Sequence, residues 1–380
     1  MGKTKIAVVG CGSMAQGMHL PNIKKHKGLT LAWCCDVDGE TLSTVREKFN
    51  PEKVTADVRD VAKDRNCKIV LISTADAARY NLIKLFAEAG KDIYVEKPVA
   101  DSFKEMFAIA GIVKKTGIKL CVGHNRRMAP AIQEALRIYL KHKKNPVSPP
   151  WRWDRNEKKR PTMQQEKQTV MLLRVNDDYW SWKEWAFEEG SLLNEMTHFA
   201  DLACYFIGKP PSRVTVIGNK VANHTIVIEF RDGSIATIVT AANGSFGYPK
   251  ELIEIFQEGS VIAIDHLLEI RTAGIPDEPF RKVFPLISGT ILKDGITGYY
   301  EEFLAAQKRA VELKDNSLRP TPADKGHYRL LDAFLKEVRG GEKTPSNLDE
   351  AMKSTAIILK AIESCRTGKP VEISPSDYTL

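Results

Sequence analysis

No run of about 18 apolar residues occurs in this 380-residue chain, so no transmembrane helix is expected. The opening "MGKTKIAVVG" lacks the long apolar segment and small-residue cleavage site of a secretory leader, and it passes straight into a strand-like run. A cytoplasmic location is the expectation. Myristoylation of Gly2 would need Ser or Thr at position 6, where Ile6 stands. No C-x-x-C pair occurs among the seven cysteines, which read as reduced core thiols rather than disulfides or metal ligands. Internal repeats and low-complexity tracts are missing too. Basic charge is scarce outside one stretch: of a net +8, most lies between Arg137 and Arg160, where nine Lys/Arg face only Asp154 and Glu157. A general nucleic-acid surface would need basic residues over an extended face, so none is expected. The stretch reads as a solvated insertion, or as a region that attracts an anionic substrate.

What is present is alternation. "KIAVVG" (5–10), "LTLAWCCD" (29–36), "KIVLIST" (68–74), "DIYVEK" (92–97) and "KLCVGHN" (119–125) are short apolar runs, most of them separated by amphipathic helix-length stretches. Such runs joined by helices predict a parallel sheet covered on both faces. After the basic insertion the pattern becomes a meander: "RVTVIGN", "HTIVIEFR", "SIATIVTAA", "ELIEIFQ" and "SVIAIDHLLEIR", with hairpin signals at Asp232-Gly233 and Glu258-Gly259. Helices return in "YYEEFLAAQKRAVEL" and "LDEAMKSTAIILKAIESCRTG". The fold class is therefore α/β: a doubly wound parallel Rossmann sheet, then an α/β domain with a large, mostly antiparallel open sheet. Boundaries are expected at 1–126 and 127–380, with the basic insertion near 141–167.

Three stretches carry chemistry. In "VVGCGSMAQGMHLP", Gly10-x-Gly12-x-x-Ala15 follows a strand and opens a helix, the context that a dinucleotide fingerprint requires. Gly10 permits the tight turn, Gly12 lets backbone approach a pyrophosphate, and Ser13 and Met14 begin the helix that would hold it. Asp36 ends the second strand, where a carboxylate accepts from ribose hydroxyls and repels a 2′-phosphate. No Arg or Lys follows before Arg46, so NAD is favoured over NADP. Asp38 competes for this role but lies past the strand end.

The second stretch is "DIYVEKPVA". Pro98 stops the strand and fixes Glu96 and Lys97 at its carboxyl end, where open α/β sheets bind ligands. An ammonium there stabilises negative charge developing on a substrate oxygen. A plain surface ion pair is the competing reading. The third is "EEGSLLNEMTHFADLACYF", an apolar-striped helix on which Asn194 and His198 stand four apart, with Asp201 one turn on. Imidazole is the best proton acceptor at neutral pH. Glu195-x-x-His198 has no second E-x-x-H to complete a di-metal site, so no metal is expected. Upstream, in "NDDYWSWKEWAF", Trp182 could stack on a pyranose and Lys183 could bind a polar or anionic substituent, although a core role for such aromatics is equally common.

Together these stretches resemble the Gfo/Idh/MocA family of sugar and cyclitol dehydrogenases over nearly the whole chain. The fingerprint with His19-Leu20-Pro21, "EAGKDIYVEKPVA", "GHNRRMAPAIQ", the His198 helix and "AIESCRTGKPVEI" follow in the family's order. The resemblance implies His198 as catalytic acid/base and Lys97 as contact to the reacting hydroxyl and the cofactor. It implies Glu96 near the nicotinamide ribose, Thr74 and Asn125 along the cofactor site, and Arg126 or Arg127 near substrate or cofactor. It also implies a cis Lys97–Pro98 bond, and a homodimer or homotetramer joined through the open sheet. Two departures stand out. Asn194 replaces the family's frequent Asp, which leaves any second carboxylate role to Glu195, and "TADAAR" replaces "TPNxxH".

The expected activity is oxidation of a ring CHOH of a sugar, sugar derivative or cyclitol. One alternative is an NAD-dependent glycosidase that oxidises C3 transiently, eliminates the aglycone and returns the hydride. The other is a non-catalytic NAD-sensing regulator, which retention of both Lys97 and His198 disfavours.

Overall fold

A computed structural model of the chain describes residues 2–144, 168–178, 190–315 and 318–380. It forms two compact units: residues 1–125, 326–359 and 375–380, and residues 126–325 and 360–374.

The first unit is built on six parallel strands in the order β3-β2-β1-β4-β5-β6. These are β1 (Thr4–Val9), β2 (Leu29–Cys35), β3 (Lys53–Thr55), β4 (Cys67–Ile72), β5 (Asp92–Val95) and β6 (Leu120–Val122). Strand order reverses between β1 and β4, so the carboxyl ends of those strands open the crevice where doubly wound folds bind ligands. Ile6 to Val9, Ile69 to Ile72 and Ile93 to Val95 are buried throughout, as a sheet covered on both faces requires. Gly117 ends the helix Phe103–Thr116 in the left-handed conformation, where glycine carries no Cβ penalty.

One boundary needs correction. The sequence reading assigned all of 127–380 to the second domain, yet residues 326–359 and 375–380 lie with the first. The helix His327–Val338 buries Leu330, Leu331, Phe334 and Leu335, and Phe334 packs edge-on to Tyr94 of β5 at 6.2 Å between ring centroids. Ser346 then bonds β6 twice: Val122 N donates to its carbonyl at 2.9 Å, and its Oγ donates to Val122 O at 2.7 Å. An apolar helix stripe shows that a core partner exists, but not which core.

The second unit carries a nine-stranded sheet in the order β14-β13-β12-β11-β7-β10-β9-β8-β15. Its centre is β7 (Val170–Asn176), β10 (Ile235–Ala241) and β11 (Glu251–Gln257), flanked by β8 (Pro211–Gly218), β9 (His224–Phe230), β12 (Ser260–Asp265) and β13 (Glu269–Ala273). All pairings are antiparallel except β7 with β10. The short strands β14 (Arg281–Val283) and β15 (Val371–Glu372) close the two ends. Met171, Leu173, Ala236, Ile238, Ile226, Ile228, Ile253 and Ile255 face the core, while Val170, Leu172, Ile235 and Val239 are exposed on the opposite face. Glu258 and Gly259 form the predicted two-residue turn, both at positive φ. The run "SVIAIDHLLEIR" is two strands rather than one, because His266 and Leu267 both adopt positive φ and reverse the chain.

A buried ion pair holds the core helix Met196–Ile207 of this unit. Arg127 donates from Nε to Asp201 Oδ2 at 2.7 Å and from Nη2 to Asp201 Oδ1 at 2.8 Å, and each residue is about 1% exposed. Asp201→Asn should lower the unfolding free energy by about 3–5 kcal/mol, because it strips the counter-charge from a buried guanidinium. Urea unfolding would show a lower midpoint at unchanged slope. An unchanged midpoint would refute this account of the pair.

Candidate functional site

In the first unit the crevice at β1 and β4 is shaped for a nucleotide. Gly10 has φ +83°, and a Cβ there would stand 2.5 Å from the carbonyl oxygen of Ser73, so only glycine fits. Nothing lies within 4 Å of a Cβ built on Gly12, which leaves the backbone open to an approaching pyrophosphate. Ser13 and Met14 are exposed at the start of the helical segment. Asp36 Oδ2 accepts from Cys11 N at 2.6 Å and Oδ1 from Asp38 N at 3.0 Å. The carboxylate thus shapes the glycine loop while keeping acceptor capacity for ribose hydroxyls. Asp38 instead caps the following helix by accepting from Thr41 N at 2.9 Å. Thr74 Oγ1 is buried with no hydrogen-bond partner among the described residues, an orphan that a bound ligand would satisfy. These features fit NAD. Gly10, Gly12, Asp36 and Thr74 would hold it.

Two residues missed as site members hold the crevice together. His19, on the fingerprint helix, is 3% exposed, and its Nε2 lies 2.7 Å from Glu96 Oε1. Arg79 is 4% exposed; its Nη1 donates to Pro98 O and its Nη2 to Thr74 O at 3.1 Å, and Asp76 pairs with it at 2.7 Å. The departure "TADAAR" therefore supplies a brace between two loops. Its signal was an arginine three residues after an aspartate, at helix spacing.

Lys97 is half-buried beyond the end of β5, and the Lys97–Pro98 bond is cis, as the resemblance implies. Glu96 is buried. Burial alone would raise its carboxyl, but the bond to His19 and the charges of His19, Lys97 and His327 outweigh that and bring it down to about 2. A Cβ on Gly123 would meet Glu96 Oε2 at 2.9 Å, so the carboxylate has close neighbours on that side too. Asn125 is buried at the end of this segment.

The second unit holds the histidine. Gly190 (φ +77°) precedes a short helical turn, Ser191–Asn194, and a Cβ there would stand 2.6 Å from Lys220 O. The helix breaks at Glu195 and resumes over Met196–Ile207, so the expected single helix is two segments. Asn194 is half-buried and His198 is 5% exposed. Glu195 Oε1 lies 3.0 Å from both Arg126 Nη2 and Lys250 Nζ. Arg126 also binds Glu251 at 2.7 Å, Lys325 reaches Glu251 at 3.2 Å, and Lys250 reaches Asp177 at 3.2 Å. Glu195 is therefore fixed between two cations. Arg126 and Arg127, expected near substrate or cofactor, have their guanidinium groups engaged by Glu251 with Glu195 and by Asp201. Trp182, Lys183 and most of the basic insertion lie outside the described residues.

The first unit is thus a doubly wound nucleotide-binding domain, and the second carries a buried histidine on a helix packed against a broad sheet. Residues 4–124 match the family model described as "Oxidoreductase family, NAD-binding Rossmann fold". That match places residues 4–124 in the NAD-binding part of the Gfo/Idh/MocA oxidoreductases, and the cofactor is NAD. Its sequence is similar to "Uncharacterized oxidoreductase YrbE" of Bacillus subtilis, 24% identical with 97% of this chain and 96% of that protein covered. It is also similar to the myo-inositol 2-dehydrogenase of Thermotoga maritima, 23% identical over 72% of this chain and 78% of that one. A crystal structure of an oxidoreductase from Agrobacterium radiobacter in complex with NAD+, L-tartaric acid and magnesium shares the fold. Its TM-score is 0.74 at 18% identity, covering 97% of this chain and 98% of that one. No helix among the described residues is long and apolar enough to cross a membrane.

Glu96→Gln tests the electrostatics of the crevice. The folded carboxyl is depressed to about 2, so ionised Glu96 contributes stability that is full above its unfolded value near 4.3 and is lost as pH falls toward 2. The variant should be less stable than wild type at pH 7, and the gap should close between about pH 4 and pH 2. Thermal unfolding across that range measures it. A gap that does not change with pH would refute the assignment.

Proposed function

We propose that this oxidoreductase oxidises a ring CHOH group of a sugar, sugar derivative or cyclitol. The observation that carries the reading is Lys97, half-buried beyond the β5 end beside a compensated, buried Glu96. NAD, when bound, accepts the hydride. Lys97 hydrogen-bonds the substrate oxygen and stabilises the negative charge that develops on it. His198 takes the hydroxyl proton on its imidazole, and burial shields it from bulk water. Asn194, half-buried one turn before it, offers a donor and an acceptor to a neighbouring hydroxyl. Similarity to a relative named for myo-inositol oxidation supports a cyclitol or sugar as the substrate class.

His198→Ala should lower kcat by about 100-fold or more while NAD affinity stays unchanged. The assay is a panel of free sugars, cyclitols, uronates and chromogenic glycosides, with NADH and released aglycone followed in parallel. NADH without aglycone supports the proposal. Aglycone released with catalytic NAD and no net NADH would replace it with the elimination route. Wild-type kcat in the variant would remove the histidine's role.

The open sheet face supports association of like chains. Val170 and Ile235 are register partners on β7 and β10, and both are exposed, as are Leu172 and Val239 on the same two strands. An exposed apolar sheet face of this kind marks an interface. Val239→Lys should shift a homodimer or homotetramer toward monomer in light scattering. A monomeric wild-type protein would sink this part of the reading.

A further inference from the structure

The second unit contains a cavity of about 1240 Å³ that the roles above leave unused. Tyr248, His266, Tyr299 and Phe303 line it with rings, and Lys250 and Lys325 line it with ammonium groups. One side is the helix Ile296–Leu313, which buries only Ala306 among its 18 residues. That helix borders a space rather than a packed core.

The rings are already set. His266 and Tyr299 lie 4.7 Å apart between centroids, and the Arg174 guanidinium sits 4.6 Å over Tyr248. Charge on the lining is uneven: Lys250, Lys308, Arg319 and Lys325 stand against Asp178 and Glu312. Behind the lining, Glu251 and Glu195 are shared among Arg126, Lys250 and Lys325. Burial lowers the Lys325 ammonium below the usual lysine range, and Arg126 and Lys250 reinforce this against Glu251. Burial likewise takes His266 down to about 4, with Lys325, Lys250 and Arg174 adding to the effect and Glu251 opposing it. Burial is the first cause for both groups, and the neighbouring cations add to it, while Lys250 on the same wall is held charged by Glu195 and Asp177. An anion placed there would favour the charged forms of Lys325 and His266.

We infer that this cavity binds a small organic anion carrying a ring, an aryl or glycosyl carboxylate, sulfonate or phosphate, with its acidic group on Lys325 and Lys250 and its ring against Tyr248 and Tyr299. The volume exceeds the roughly 300–1,000 Å³ of ordinary ligand pockets, so it accommodates the ring as well as the anion. The inference deepens the reading above and rests on it for the claim that the bound molecule is the substrate. The link to that reading is the 3.0 Å ion pair between Lys250 and Glu195, three positions before His198.

The test separates binding from turnover. Calorimetry on the full chain with NAD present would compare 4-nitrophenyl β-D-glucuronide, 4-nitrophenyl sulfate and 4-nitrophenyl phosphate with the neutral 4-nitrophenyl β-D-glucoside. At least one anion should bind roughly ten-fold tighter than the glucoside, as a charge-assisted contact to a partly buried ammonium gives. Lys325→Met should abolish that preference and Lys325→Arg should retain it, while Phe303→Ala should weaken charged and neutral ligands alike. NADH and nitrophenol would be read separately. Selective binding of an anion without turnover would keep the site and overturn its link to the reaction. Equal affinity for charged and neutral probes, no binding of any anion, or a preference that survives in Lys325→Met would overturn the site.

Discussion

An ionised group taken out of water must find opposite charge and donors where it stands, or the fold loses several kcal/mol. Both units are organised by that constraint. In the first, Glu96 is buried at the end of β5 and finds His19 on the fingerprint helix. That single contact ties the "EKP" turn to the phosphate loop's own helix. Arg79 repeats the arrangement by joining the carbonyls of Thr74 and Pro98. The glycine loop, the loop after β4 and the turn after β5 thereby become one hydrogen-bonded frame. A nucleotide crevice needs such a frame, because its donors must already point inward when the phosphate arrives.

How much of this was legible follows from the range over which each signal acts. The fingerprint is local: Gly10 and Gly12 answer to backbone geometry within a few residues, and Asp36, at the end of the adjacent strand β2, accepts from Cys11 N. The hairpin at Glu258–Gly259 is local too. The reversal at His266–Leu267 was not legible, since leucine rarely adopts positive φ and nothing in the local sequence marks a turn there. β7 was missed because it follows the basic insertion and its neighbours β10 and β11 lie sixty or more residues on. Placing the helix His327–Val338 with the first unit required knowing that Phe334 meets Tyr94, a contact across 240 positions.

The site divides the same way. Lys97 and His198 could be singled out because proline and helical spacing constrain their surroundings. The partners of charged residues could not be read. Arg126 and Arg127 stand side by side in sequence, on the 3-10 turn Asn125–Met128, and look interchangeable. The turn sends them apart: one to Glu251 and Glu195, the other to Asp201. Residues that looked available for ligands are engaged in holding the protein's own carboxylates.

That division gives the histidine its setting. Glu195, His198 and Asp201 are spaced by three, Glu195 at the turn that opens the helix and the other two on it. Arg126 engages the first of the three and Arg127 the last, from adjacent positions on one turn. His198 thus lies between two anchored carboxylates. A buried helix rotated by even a fraction of a turn would break one anchor or the other, and each break would leave a guanidinium without a counter-charge it now has. The helix therefore has one acceptable rotation. The imidazole is carried on a helix whose rotation is set by charges at either side of it, and a site side chain needs that constancy.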